Sequence, residues 1–168
     1  MSPRDHVIYG TVAAAALYPS IGTDAVYFWA ASFLIDIDHY LDYIYHNGFT
    51  DFSFKKMFDY HNALDRFWHS PEFLNLEIFH TIEFLAALYF VSLWTASGAL
   101  LSVFLGFVFH SLLDIIYLSK HGVFSIRAYS FTEYYIRRRR LVEMGYCPGD
   151  IYREAVRIVN GEDGKERG

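Results

Sequence analysis

Between Phe84 and Phe109 the chain carries no Asp, Glu, Lys or Arg over 26 consecutive residues, and between Val7 and Ile35 it carries only Asp24. Such stretches must be buried against protein or against lipid, because an uncharged apolar run of about 18 residues is already long enough to suggest a transmembrane helix. Both stretches are interrupted near the middle, the first at Pro19-Ser20-Ile21-Gly22-Thr23 and the second at Thr95-Ala96-Ser97-Gly98. Clusters of Pro, Gly, Ser and Thr are turn signals. The pattern therefore predicts two helical hairpins, with helices over 6–18, 24–44, 74–94 and 98–118.

The rest of the chain differs in kind. Residues 45–72 mix aromatic and charged side chains and read as an amphipathic connector lying on a surface. Residues 121–146 read as one or two amphipathic helices containing Arg137-Arg138-Arg139-Arg140, and Pro148-Gly149-Asp150 opens a last short helix. The expected fold is all-α, a membrane-associated helical bundle of two hairpins with the connector and C-terminal helices added. The expected division is a helical metal-binding membrane domain over 1–120, basic amphipathic helices over 121–160 and a disordered tail over 161–168. The soluble alternative is a compact bundle with an aromatic core. A signal peptide is the weaker alternative, since Asp5 stands beside Arg4 and no clean cleavage site follows.

Composition removes several classes. A 54% hydrophobic share is too high for a disordered chain. One cysteine, Cys147, cannot staple a disulfide scaffold. A net charge of −5, from 14 basic and 19 acidic residues, argues against a specific nucleic-acid partner. Eight histidines are left to explain.

The hairpin arithmetic groups them. Glu83 and His110 lie equally far on either side of the second turn, with His80 and Asp114 just beyond. At 1.5 Å per residue both pairs stand about 20–26 Å from that turn. His80 and Glu83 are spaced i,i+3, and His110 and Asp114 i,i+4, so each pair shares a helix face. Around the first turn His6 and Asp36 are likewise equidistant, with Asp38, His39 and Asp42 following. Four helices thus bring His and carboxylate groups to one level. Buried groups of this kind are costly unless paired or bound to a metal, and inward His, Asp and Glu side chains are how bundles hold metal ions. The expected ligands are drawn from His6, Asp36, Asp38, His39, His80, Glu83, His110 and Asp114, around one or two divalent ions, zinc foremost. The alternative is a buried salt-bridge and hydrogen-bond network. His46, His61, His69 and His121 read as surface or interfacial, with His61 and His121 as second-rank ligands or acids.

All 14 basic residues lie outside the two turns, on the side of this cluster. By the positive-inside rule the site and both termini would face the cytoplasm, from a multi-pass protein of the cytoplasmic (inner) membrane. The four-arginine run reads either as a solvated face or as a strip touching anionic headgroups or an anionic substrate.

An early His6 opening an apolar helix, the segment Asp36-Ile37-Asp38-His39, His80 in a third helix and His110-Ser111-Leu112-Leu113-Asp114 in a fourth resemble the YdjM-like family of membrane-bound metal-dependent hydrolases. That family is similar in turn to the helical zinc-dependent phospholipase C and single-strand nuclease group. The resemblance covers roughly residues 1–120. It departs from the family at Ile35, where Pro is common, and at Phe79-His80-Thr81, which shortens a His-Arg-Gly…Thr-His-Ser segment. The resemblance implies His6, Asp36 or Asp38, His80, His110 and Asp114 as ligands; Glu83 comes from spacing alone. The expected function is metal-dependent hydrolysis, of a phosphoester bond, on a phospholipid or other phosphorylated substrate. Asp38, Asp42 or Glu83 would serve as general base. The rival is a non-catalytic membrane protein whose polar cluster locks the helices and whose basic C-terminal part binds a partner.

Overall fold

In the computed structural model, residues 1–162 are described, and among them the chain is all-α apart from two strands of two residues each. The chain divides into two compact units built from discontinuous segments. The first comprises Met1–Asp36 and Ile78–Phe124, and the second Ile37–Glu77 with the described chain from Ser125. The sequence-based division at residue 120 runs differently, because it assigns the connector to the first domain. Residues 163–168 of the expected tail lie outside the described residues.

The first unit holds helices α1 (Pro3–Ile21) and α2 (Ala25–Leu34). Ser2 caps α1 by accepting the Asp5 N–H, with Pro3 in the first helical turn. Gly22, at φ 58° and ψ −137°, takes a positive-φ conformation open mainly to glycine, and the return starts there. Expectation and structure part at residue 35: the helix foreseen over 24–44 is broken at Ile35–Asp36, and a separate helix α3 (Ile37–His46) begins. Asp38 lies in the first turn of α3, where a carboxylate suits the positive helix end. The third helix, foreseen over 74–94, is also shorter. Asn75 and Leu76 form strand β1 instead, Ile78–His80 form a 3₁₀ turn, and the Thr81 hydroxyl caps the Phe84 N–H. That cap fixes the start of α5 (Ile82–Trp94). Ser97 caps α6 (Gly98–Lys120) in the same way.

Packing inside the first unit reverses the usual soluble pattern. Apart from Phe28 and Leu118, its buried helical residues are small or polar, among them Gly10, Ala14, Ala25, Ala31, Ser32, Ser92, Ser102 and Gly106. Large apolar residues face outward, among them Val12, Val26, Ile82, Phe90, Trp94 and Leu112. A Cβ added at Gly106 would stand 2.5 Å from the Phe28 carbonyl oxygen and 2.7 Å from Ala31 Cβ, so α2 and α6 approach backbone to backbone. Small residues at helix contacts are what helices use when dispersion and close approach, rather than burial of large side chains, hold them together. Among the described residues one helix, α6, is long and apolar enough to cross a membrane, with mean hydropathy 2.1. The apolar α5 has 13 residues and is shorter than a span.

The second unit contains α3, α4 (Phe54–Leu64), β1 (Asn75–Leu76), β2 (Arg127–Ala128), α7 (Phe131–Glu143) and α8 (Pro148–Asn160). The strands pair in parallel, Asn75 with Arg127 and Leu76 with Ala128. The connector is not merely a surface strip: Met57, Tyr60, Ala63 and Leu64 of α4 are buried, and α4 packs on α8, whose Ile151, Tyr152 and Ala155 are also buried. Arg137 fastens α7 to the strand segment. Its guanidinium donates to the Ser125 and Arg127 carbonyls and to Glu133.

Candidate metal centre

α2 ends at Leu34, so the Ser32 carbonyl belongs to the last turn and has no helical donor. His110 of α6, fully buried, fills that vacancy: its Nδ1–H donates to Ser32 O at 2.8 Å. The bond fixes the tautomer and leaves Nε2 facing the other way. There Asp36 Oδ1 stands at 3.1 Å and Asp114 Oδ2 at 3.4 Å. Nε2 is thus buried between two carboxylate oxygens.

Three further groups complete the cluster. Asp114 lies one turn after His110 on α6 and is buried. His80 closes the 3₁₀ turn with Nε2 3.8 Å from Asp114 Oδ2. His6 of α1 stacks on the His110 ring, with centroids 3.7 Å apart and planes at 12°, and its Nε2 lies 3.1 Å from Asp114 Oδ1. The Met1 amino group is 3.4 Å from the same oxygen.

Asp36, His80, His110 and Asp114 each offer one donor atom, and all four atoms lie within 4.8 Å of one another. Two imidazole nitrogens and two carboxylate oxygens suit a divalent ion of the zinc class. Donors placed tetrahedrally about 2.1 Å from such an ion stand about 3.4 Å apart, close to the 3.1–3.8 Å spacings found here. A histidine ligand that gives its other N–H to a backbone carbonyl is the usual supporting arrangement. The charge balance agrees: two closely spaced carboxylates among imidazoles call for a cation. Three of the four donors are buried; Asp36 alone is partly exposed.

Other residues singled out in the sequence are placed elsewhere. His6 touches Asp114 but is not one of the four, and its Nδ1 is buried without a hydrogen-bond partner. Glu83, in the first turn of α5, is half-buried and outside the four. The Asp36-Ile37-Asp38-His39 segment divides between the units, with Asp38 and His39 in the second. There His39 Nδ1 lies 3.8 Å from Glu77 Oε1, and Glu77 is paired with Arg127 at 2.6 Å. Asp42 accepts the Tyr60 hydroxyl at 3.0 Å and lies 3.3 Å from His46 Nε2. His61 donates through Nε2 to the His39 carbonyl at 2.9 Å; burial, with His39 adding repulsion, pushes its pKa down to about 4. Burial also pushes the Tyr60 and Tyr152 hydroxyls up.

Glu77, Arg127 and the Ser32 carbonyl were not foreseen. Glu77 carries a weak signal, as a lone acid between Leu76 and Ile78. The Ser32 carbonyl carries none, because it depends on where α2 stops. Comparison with protein-family models, with curated proteins and with solved structures gives no match.

Proposed function

We propose that this chain is a membrane-bound, metal-dependent hydrolase of phosphoester bonds. The convergence of Asp36, His80, His110 and Asp114 within 4.8 Å carries the reading. The inverted packing of the first unit, with small residues inside and large apolar ones outside, supports its placement in lipid. The resemblance of these same positions to the YdjM-like hydrolases supports the reaction class.

A divalent ion, zinc foremost, would supply Lewis-acid polarisation of the phosphoryl group and acidify a water. The protein's own part is positioning. The Ser32 carbonyl holds His110 in the tautomer that presents Nε2 to the site. His6 holds Asp114 through Oδ1, while Oδ2 faces His80 and His110. Asp36, the partly exposed donor, marks the side on which substrate approaches. Glu83, in the same unit and i,i+3 from His80, is the proposed base. Asp42 is less suited, since it already accepts the Tyr60 hydroxyl.

Elemental analysis of detergent-purified protein, with a panel of soluble and lipid phosphoesters, tests the proposal. Stoichiometric metal together with hydrolysis, both lost in His110→Ala and Asp114→Asn, is expected. Protein that purifies and stays folded without metal would overturn it. Stoichiometric metal without hydrolysis of any phosphoester would favour the rival reading, a metal that only locks the helices.

A further inference from the structure

The second unit holds a cleft of about 750 Å³ formed by the end of α3, the outer face of α7 and the start of α8. We propose that this cleft binds a phosphate-bearing ligand, either a phospholipid headgroup or a soluble phosphoester.

The lining is what such a ligand needs. Arg138 and Arg139 both reach the cleft. A guanidinium presents a planar fork of donors that matches phosphate oxygens. Arg137, next to them in sequence, is committed to the Ser125 and Arg127 carbonyls and Glu133, so the run is not one undifferentiated charged strip. Glu143 is the acidic residue in the lining, and it is tied to Arg139 Nε at 2.9 Å, leaving the outer guanidinium nitrogens to a ligand. Pro148 and Gly149 bring the first turn of α8 to the wall, and the side chain of its N-cap Cys147 makes no hydrogen bond to that turn. Helix N-termini add partial positive charge.

The remaining walls are aromatic. Tyr45, Tyr134, Tyr135 and Tyr152 line the cleft, with His46 stacked on Tyr152 at 4.1 Å. Tyr45 and Tyr135 are largely exposed, so they offer a rim of ring and hydroxyl. Tyrosine belongs at the level of lipid headgroups, where one end is apolar and the other wet. Guanidinium donors for a phosphate beside rings for glycerol or acyl carbon form one amphipathic site. It uses only residues of the second unit and does not depend on the metal centre.

Calorimetric titration of the full-length protein in non-ionic detergent provides the test. The probes are glycerol 1-phosphate and, separately, mixed micelles of phosphatidylglycerol or phosphatidylcholine. Wild-type protein should bind one of the two anionic probes. Saturation by glycerol 1-phosphate identifies the soluble source, and response to phosphatidylglycerol micelles alone identifies the headgroup. R138Q/R139Q should weaken binding about tenfold or more, the scale of lost hydrogen bonds to a charged group. R153Q/R157Q, which removes the same charge from outside the cleft, should change it little. R138K/R139K, which keeps the charge and loses the fork, should recover only part of the affinity. The four substituted side chains, Arg138, Arg139, Arg153 and Arg157, are exposed, and circular dichroism checks that the helix is retained. Absence of binding to both anionic probes, equal losses in the two glutamine pairs, or full recovery with lysine would overturn the proposal.

Discussion

Gly106→Ala is the sharpest perturbation of the packing that builds the metal centre. The new methyl carbon would lie 2.5 Å from Phe28 O, 2.7 Å from Ala31 Cβ and 3.2 Å from Ser32 N. To restore ordinary contact, at 3.4 Å or more, the α2 backbone must retreat by about 0.9 Å. Overpacking of this kind costs about 1–3 kcal/mol. Ala gains back about 0.8–1 kcal/mol of helix propensity over Gly. The net expectation is a loss of about 0–2 kcal/mol, up to roughly 8 °C in Tm for a chain of this size. The larger effect falls on the metal. The Ser32 carbonyl that orients His110 lies on the retreating helix, and Asp36 follows its end. Metal donors tolerate displacements of only about 0.2 Å, and loss of an orienting partner typically costs about 10–100-fold in metal affinity. Thermal unfolding by circular dichroism and competition with a chelator read the two effects. Leu112→Ala, on the outward face of α6, is the control and should leave metal affinity unchanged. A Gly106→Ala protein with wild-type stability and wild-type metal affinity would refute the backbone-to-backbone contact and the coupling drawn from it.

Other substitutions probe separate parts. Without metal, His110→Ala should cost about 3–5 kcal/mol, because it empties the space of a fully buried ring and strips the Ser32 carbonyl of its donor; denaturant titration of chelator-treated protein checks this. Tyr60→Phe removes a hydrogen bond to Asp42 from a fully buried ring and should cost about 1–2 kcal/mol without touching metal content, as read by thermal unfolding. His61 stays neutral in the folded chain down to about pH 4, whereas the unfolded chain takes up its proton near 6.5. The unfolded state therefore binds more protons between these values, and stability should fall as pH drops from about 6.5 to about 4. His61→Gln should flatten that acid limb; an unchanged pH profile would show that His61 does not carry it.

Particular residues show where sequence reasoning worked and where it stopped. The uncharged runs broken at Pro19–Thr23 and Thr95–Gly98 are local signals, and they sufficed for an all-α chain with turns at those places. The i,i+4 pair His110 and Asp114 is likewise local, since helix periodicity alone puts both on one face. The break at Ile35–Asp36 escaped the same reasoning, because Leu34 to His39 contains no Gly or Pro and its apolar pattern is compatible with a continuous helix. Asn75 and Leu76 escaped it too. Their partners, Arg127 and Ala128, are about fifty residues away, and no local preference specifies a two-residue parallel ladder.

The sequence by itself determined the chemistry on offer: which residues can ligate, that His110 and Asp114 share a helix face, and that two long stretches carry almost no charge. Only the tertiary structure decided which donors meet. His80, His110 and Asp114 join Asp36 because α2 ends at Leu34, freeing the Ser32 carbonyl to set the His110 tautomer and turning Asp36 toward Nε2. Asp38 and His39, two and three residues further on, enter the other unit. The physical reason is one of range: periodicity fixes the face of a helix that a residue occupies, whereas the end of a helix and the approach of its neighbour are fixed by caps and close contacts between segments far apart in the chain.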